Sequence, residues 1–209
     1  EMIHRLQPAC LVGNNHHITP FEGEDIQIFE RDAPGENTAG LSGQEISRLP
    51  LETCQTMNGM WGYKVIDTNY KSTTELIRFL VKTAGLGANL LLNIGPQPNG
   101  ELPATSLDRL KDMGEWLSVN GETIYGTEGS PFAEQSWGTA TRNGDRLFLH
   151  VIKPGTTEII IPSDLKIKKA ETFASRTPVE TKKSKDGTIL RMDATPDVPD
   201  HIIEVTLKK

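Results

Sequence analysis

The fold class is decided by residues 72–94, STTELIRFLVKTAGLGANLLLNI. Ser72 and Glu75 form a Ser-x-x-Glu capping box, which typically marks the start of a helix. Apolar side chains follow at helical spacing, and Gly85 lies where the predicted helix ends. Residues 89–94 then form a largely apolar run, as in a strand that is buried in a parallel sheet. A helix followed at once by such a strand predicts an α/β fold.

The same alternation extends over residues 1–126. We predict a helix, a strand, a long loop, a strand, a helix, a strand and a final helix, with the first two strands at residues 10–12 and 51–56. Such alternation is typical of a (β/α)8 barrel, whose functional loops follow the carboxyl ends of the strands. A whole barrel needs about 250 residues, so the predicted strands account for only part of one.

The character of the sequence changes after Gly126. Short runs rich in β-branched residues are separated by Gly, Pro and Asp, and we predict strands at 147–152, 158–161, 165–173, 189–192 and 202–207. Evenly spaced strands with such turns are typical of a small antiparallel β-sandwich. The sequence thus predicts an α/β part followed by an all-β part, with a partial barrel over residues 1–130 and a β-sandwich over residues 131–209.

Composition argues against several classes of partner. The net charge is −6, which disfavours nucleic acid because proteins that bind it present basic surfaces. The longest apolar runs are far shorter than the roughly 20 residues of a membrane span, so we expect no membrane partner. The two cysteines, Cys10 and Cys54, form neither a CxxC pair nor a disulfide framework.

Titratable residues are densest in the predicted loop over residues 16–46. Three interpretations of this loop compete: a solvated acidic loop, a carboxylate general acid, and a His/carboxylate metal site. The metal interpretation is the weakest because no HExxH or comparable spacing is present. The residues concerned are His16, His17, Glu22, Glu24, Asp25, Glu30, Asp32, Glu36 and Glu45.

Carboxylates interleaved with aromatic residues suit the cleavage of glycosidic bonds, which commonly needs two carboxyl groups. One of them must be held protonated near neutral pH by apolar neighbours. Glu30 fits this role best, because an aromatic residue and two isoleucines precede it, although it could instead pair with Arg31 or Arg48. Trp61 follows a strand and is flanked by glycines, so its indole could stack on a sugar or could belong to the core.

Several segments, taken in order, resemble the signature of the α-L-fucosidases of glycoside hydrolase family 29. They are residues 51–56 (LETCQT), 61–63 (WGY), 89–96 (NLLLNIGP), 100–103 (GELP) and 114–126 (GEWLSVNGETIYG). Their position in the family's barrel implies that residues 1–130 are the distal half of a (β/α)8-like barrel. The implied activity is hydrolysis of terminal α-L-fucose with retention of configuration, on a fucosylated oligosaccharide or glycoconjugate, with no metal and no cofactor.

The resemblance also implies roles for single residues. Glu30 corresponds to the general acid/base, with Glu36 as the second choice and Glu45 as the third. Trp61 resembles the tryptophan that lines the pocket near the methyl group of fucose. Substrate-binding residues are expected at Asn15 and His16, because Asn14-Asn15-His16 stands where many members carry Asn-Asp-Arg. His17 is expected there too, because histidines can donate hydrogen bonds to sugar hydroxyls.

The attacking aspartate of the family has no counterpart in this sequence. Its segment would precede Glu1, so we expect a C-terminal fragment that is inactive alone and that has the N-terminal half of the barrel as a partner. The resemblance implies a secreted, periplasmic or lysosomal location. The alternative function is a non-catalytic module that binds glycans or docks onto a partner.

Overall fold

A four-stranded parallel sheet forms the first part of the chain in the computed structural model, which describes residues 2–15 and 22–208. Its strands are hydrogen-bonded in the order β1-β2-β3-β4, which is also their order along the chain. The α/β class predicted for this part is confirmed. The elements are α1 (Met2–Leu6), β1 (Gly13–Asn14), β2 (Ile26–Glu30), β3 (Leu51–Thr56), α2 (Thr73–Gly85), β4 (Ala88–Asn93) and α3 (Ala104–Asn120).

Strand β2 lies within the stretch that the sequence predicts to be a loop, so that prediction is wrong for Ile26–Glu30. The strand buries Phe29 completely, yet it also buries the amide of Gln27. That amide donates to the carbonyl of Glu45 and accepts from the backbone N–H of Ser47. These partners lie about twenty residues further along the chain, so the local sequence does not show that the buried amide of Gln27 is hydrogen-bonded. For this reason the polar sequence of β2 does not predict a strand.

Helix α2 begins with the capping box that the sequence predicts. The backbone N–H of Ser72 donates to Oε2 of Glu75 over 2.7 Å, and the N–H of Glu75 donates to Oγ of Ser72 over 3.2 Å. The helix then buries Leu76, Ile77 and Val81 on one face. The predicted helix and its start are therefore confirmed.

Replacing Ser72 with alanine is expected to lower the free energy of unfolding by about 1 kcal/mol, because it removes the side-chain acceptor of a free helical N–H. Chemical denaturation would measure the loss. Ser118→Ala is a matched control, since the Ser118 hydroxyl lies exposed within α3 and donates only to the carbonyl of Glu115. An equal loss in both variants would contradict a capping effect.

The second part of the chain is all-β, as predicted. One antiparallel sheet has the strand order β5-β6-β11-β8 and the other has the order β7-β10-β9. Side chains of both sheets share one buried cluster, which includes Leu149, Ile161 and Leu190. The strands are β5 (Gly138–Asn143), β6 (Arg146–Val151), β7 (Glu158–Pro162), β8 (Ile167–Thr172), β9 (Glu180–Lys183), β10 (Gly187–Arg191) and β11 (His201–Leu207).

Two strands of the all-β part, β5 and β9, are missing from the sequence prediction. Strand β5 reads GTATRN and carries only one apolar residue, and β9 reads ETKK and is exposed along its length. Both are defined by antiparallel pairing with a more apolar neighbour, β6 for β5 and β10 for β9. Periodicity within a strand does not reveal such pairing.

Contacts within the chain group it into two compact units. One comprises residues 1–71 and 86–108, and the other comprises residues 72–85 and 109–209. Helix α2 thus belongs with the all-β part by its contacts, whereas β1–β4 all belong to the first unit. The predicted boundary near residue 130 separates the α/β elements from the all-β elements, which is a different criterion from grouping by contacts. It stays a prediction.

Candidate active site

Glu30 is the last residue of β2, and its carboxylate joins the ends of two neighbouring strands. Oε2 accepts a hydrogen bond from Nδ2 of Asn15, which follows β1, over 2.9 Å. Oε1 accepts from Nε1 of Trp61, which follows β3, over 3.1 Å. Parallel strands place their carboxyl ends at one edge of the sheet, where α/β proteins build functional sites. Three residues predicted for the site are therefore in direct contact.

The backbone of Glu30 is held from the side opposite β3. The hydroxyl of Ser42 accepts from the N–H of Glu30 over 3.1 Å and donates to its carbonyl over 3.0 Å. The amide of Gln44 donates to the carbonyl of Ile28 over 2.8 Å. Within the described residues, β1 pairs with the start of β2, and these side chains supply hydrogen bonds at the end that carries Glu30.

Trp61 is anchored at its backbone and at one face of its ring. Its carbonyl accepts from Nδ2 of Asn93, the last residue of β4, over 2.7 Å. Gly95 lies so close to the peptide bond that follows Gly62 that a Cβ added to Gly95 would be 2.6 Å from the backbone of Gly62. The guanidinium of Arg31 lies over the indole, 5.0 Å from its centroid. One face of the predicted stacking platform is therefore covered by Arg31.

The thiol of Cys54 is the immediate neighbour of Glu30 on β3. Burial raises the pKa of this thiol, and the carboxylate of Glu30 raises it further. The thiol donates to the carbonyl of Phe29 over 3.6 Å. A thiol with a raised pKa stays protonated at neutral pH, so Cys54 is a packing residue beside the carboxylate and not a nucleophile.

The other predicted carboxylates serve the loop that follows β2. Oε2 of Glu36 accepts from the N–H of Ala33 over 3.3 Å, within a turn. Asp32 is buried and accepts from the N–H of Ala39 over 2.8 Å. Glu45 is exposed, and its carbonyl accepts from Gln27. Each of these residues thus has a contact that stabilises the loop.

His16 and His17 lie outside the described residues, so their predicted contacts with substrate stay predictions. Close to them in sequence, Oδ2 of Asp25 accepts from the N–H of Val12 over 2.8 Å and lies 2.7 Å from Nε2 of His4. The backbone hydrogen bond from Val12, together with His4, lowers the pKa of Asp25. Asp25 is therefore an ionised anchor between β1 and β2 rather than a proton donor.

Three residues that surround Glu30 and Trp61 were not predicted as site residues: Ser42, Asn93 and Arg31, which the sequence suggested only as a possible ion-pair partner of Glu30. Asn93 ends β4, so the rule that sites lie at the carboxyl ends of parallel strands is a usable signal for it. Arg31 and Ser42 carry no comparable signal, because their contacts depend on how the loop folds back onto β2.

The described part of the chain contains no helix that is long and apolar enough to span a bilayer. Within residues 2–15 and 22–208, no three His, Cys, Asp or Glu side chains are grouped so that they could hold a metal ion.

A carboxylate held by an indole and an amide at the carboxyl edge of a parallel sheet is an arrangement suited to a glycoside hydrolase. The family model described as alpha-L-fucosidase matches residues 1–122, which is more than half of the chain. The chain belongs to the α-L-fucosidase family, and the resemblance stated from the sequence is confirmed.

Individual relatives agree with the family. The chain is 36% identical over 120 residues to an α-L-fucosidase of Dictyostelium discoideum, a match covering 54% of this chain and 26% of that protein. It is 44% identical over 79 residues to the plasma α-L-fucosidase of Rattus norvegicus, covering 36% of this chain and 17% of that protein.

Among solved structures, α-L-fucosidase isoenzyme 1 of Paenibacillus thiaminolyticus matches the whole chain with a TM-score of 0.80 at 29% identity. The match covers 52% of that protein. The chain therefore spans about half the length of this solved relative, and its matches cover about a quarter or less of these two curated relatives.

Proposed function

We propose that this chain carries the acid/base part of the active site of a retaining exo-α-L-fucosidase. The observation that carries the proposal is the carboxylate of Glu30, held by Asn15 and Trp61 at the carboxyl edge of the sheet. In a chain of this family, such a carboxylate supports the role of proton donor to the glycosidic oxygen. The substrate class is a fucosylated oligosaccharide or glycoconjugate.

The neighbours of Glu30 have complementary roles. Asn15 and Trp61 each bind one carboxylate oxygen, so they fix the orientation from which a proton is given to the leaving oxygen and later taken from water. The indole of Trp61 offers an apolar surface to the methyl side of a deoxy sugar. His16 and His17 would add hydrogen-bond donors for the sugar hydroxyls, and Glu36 is the second choice for the acid/base.

The attacking carboxylate comes, in this proposal, from barrel strands outside these residues. Strands β1–β4 then form the distal half of a (β/α)8-like barrel, and the two antiparallel sheets form a β-sandwich. Retention of configuration requires the two catalytic carboxyl groups to lie about 5–5.5 Å apart, which fixes where the aspartate must lie relative to Glu30. The N-terminal half of the barrel is thus a required partner.

The stereochemical outcome tests this proposal. The chain joined to its N-terminal barrel strands, called the complete enzyme below, is expected to release fucose first as the α-anomer from an aryl α-L-fucoside, because a double displacement retains configuration. Proton NMR in the first minutes of the reaction would detect it. Initial release of the β-anomer would contradict the proposed mechanism.

A second comparison tests where the nucleophile lies. The present 209 residues alone are expected to give no turnover of the aryl fucoside, and the complete enzyme is expected to give turnover. Turnover by the chain alone would place the nucleophile among its own carboxylates. Fucose binding by the complete enzyme without turnover would favour the non-catalytic module.

A further inference from the structure

Arg31 directly follows the proposed acid/base and contacts its partner, Trp61. The guanidinium lies over the indole at 5.0 Å from the ring centroid, and Nη2 donates to the carbonyl of Gly59 over 3.2 Å. Trp61 in turn donates to the carboxylate of Glu30 over 3.1 Å. The side chain of Arg31 thus reaches Glu30 indirectly, through the ring that binds the carboxylate.

The backbone of Arg31 is unusual and strongly restrained. Its φ of 68° lies in the left-handed region, which residues other than glycine, asparagine and aspartate rarely adopt. Its N–H donates to the carbonyl of Cys54 over 2.8 Å, and its carbonyl accepts from the amide of Gln55. Left-handed residues held in this way by their surroundings are concentrated at functional sites.

We propose that Arg31 is a positioning residue that fixes the proton-donating orientation of Glu30 by clamping the indole of Trp61. This inference rests on the proposed function, because it assigns a purpose to the contacts of the proposed acid/base. Arg31 itself is not placed as a catalytic residue, since its guanidinium contacts the ring and the carbonyl of Gly59.

The clamp is needed because Trp61 lies in an irregular segment between β3 and α2. The carbonyl of Trp61 is held by Asn93, but a hydrogen bond to the backbone leaves the side-chain torsions free. Arg31 restrains the ring, and a guanidinium packed on an indole gains energy from cation–π attraction as well as from contact. Loss of this restraint would allow the indole N–H to leave Oε1 of Glu30.

The test compares Arg31→Asn and Arg31→Lys in the complete enzyme. Asparagine tolerates the left-handed backbone, so it removes the guanidinium with little conformational cost. For fucosides with poor leaving groups, kcat is expected to fall about 5- to 30-fold in Arg31→Asn, the factor that corresponds to a cation–π contact. Activated aryl fucosides are expected to change little, and Arg31→Lys should fall between Arg31→Asn and the parent enzyme.

Arg176 provides a matched control. It also has a left-handed backbone, with φ of 56°, and its guanidinium lies 5.2 Å from the ring centroid of Phe173. Arg176→Asn therefore repeats the chemical change in the other unit of the chain. It is expected to alter stability but not the dependence of kcat on the leaving group, which would identify the effect of Arg31 as one of positioning.

The possible outcomes separate this inference from the proposed function. If Arg31→Asn slows good and poor leaving groups equally, or acts no differently from Arg176→Asn, the positioning role is overturned. If Glu30→Gln shows no leaving-group dependence, the proposed function fails and the role of Arg31 fails with it. If both variants show the dependence and Arg31→Asn has no further effect in the Glu30→Gln background, the two residues act in one step.

Discussion

Glu30→Gln in the complete enzyme is expected to lower kcat about 10²- to 10⁴-fold for a fucoside whose leaving group must be protonated. Glutamine is close in size to glutamate and keeps an acceptor oxygen for Asn15 or Trp61, but it has no proton to give. An activated aryl fucoside departs without protonation, so its first step should be affected far less. The measurement is kcat and KM for a natural disaccharide and for aryl fucosides of graded leaving-group acidity.

Two further variants give this experiment its controls. Glu52→Gln makes the same chemical change in the neighbouring strand β3, and it is expected to leave the leaving-group dependence unaltered. Glu36→Gln tests the second choice for the acid/base. Equal slowing of all substrates by Glu30→Gln would contradict the assignment, and leaving-group dependence in Glu36→Gln alone would transfer the role to that residue.

The elements whose signals are local were predictable from the sequence. Helix α2 has both its capping box and its terminal glycine within or next to its own span, so local residues alone predict where it starts and ends. Strand β2 could not be predicted in this way, because the groups that satisfy its buried Gln27 come from Glu45 and Ser47. Whether a polar residue is tolerated inside a strand is decided by partners remote in sequence.

In the candidate site, too, contacts that depend on residues remote in sequence could not be predicted. Asn15, Glu30 and Trp61 each follow or end a predicted or observed strand, and a parallel sheet brings such positions to one edge. The fold class therefore implied that Asn15 and Trp61 lie at one edge, whereas Glu30 was assigned to the site by family resemblance because its strand β2 was not predicted. The contact of Arg31 with the indole of Trp61 could not be predicted. It requires a left-handed backbone, and an arginine in the sequence gives no signal for that conformation.

A chain of buried hydrogen bonds in the all-β part imitates a catalytic triad but has a structural role. Nδ1 of His150 lies 2.7 Å from Oδ2 of Asp200, and Nε2 lies 3.0 Å from Oγ1 of Thr141. That hydroxyl donates to the carbonyl of Thr123 over 2.6 Å. Because the Thr141 hydroxyl donates to Thr123, Nε2 of His150 must donate to that hydroxyl, and Nδ1 shares one hydrogen with the carboxyl group of Asp200. Both side chains are fully buried, so Thr141 has no access to a substrate.

This arrangement leads to the largest expected effect on stability. His150→Leu would leave the carboxylate of Asp200 buried without its partner, and breaking a buried pair in this way costs about 3–5 kcal/mol of unfolding free energy. The cost is high because, in the described part of the chain, Oδ1 of Asp200 is already buried without a hydrogen bond. Chemical denaturation would measure the loss, and His201→Leu, a change to the next residue after Asp200, is the control.

The double variant His150→Leu, Asp200→Leu decides whether the loss comes from the unpaired charge. Replacing both partners by apolar groups removes the buried carboxylate, so the double variant is expected to be more stable than His150→Leu alone. If the loss in the double variant equals the sum of the losses in His150→Leu and Asp200→Leu, each measured alone, the two residues contribute independently, by packing. Recovery of stability in the double variant would show that His150 is kept because Asp200 is buried beside it, at the start of β11, where the strand pairs with β6.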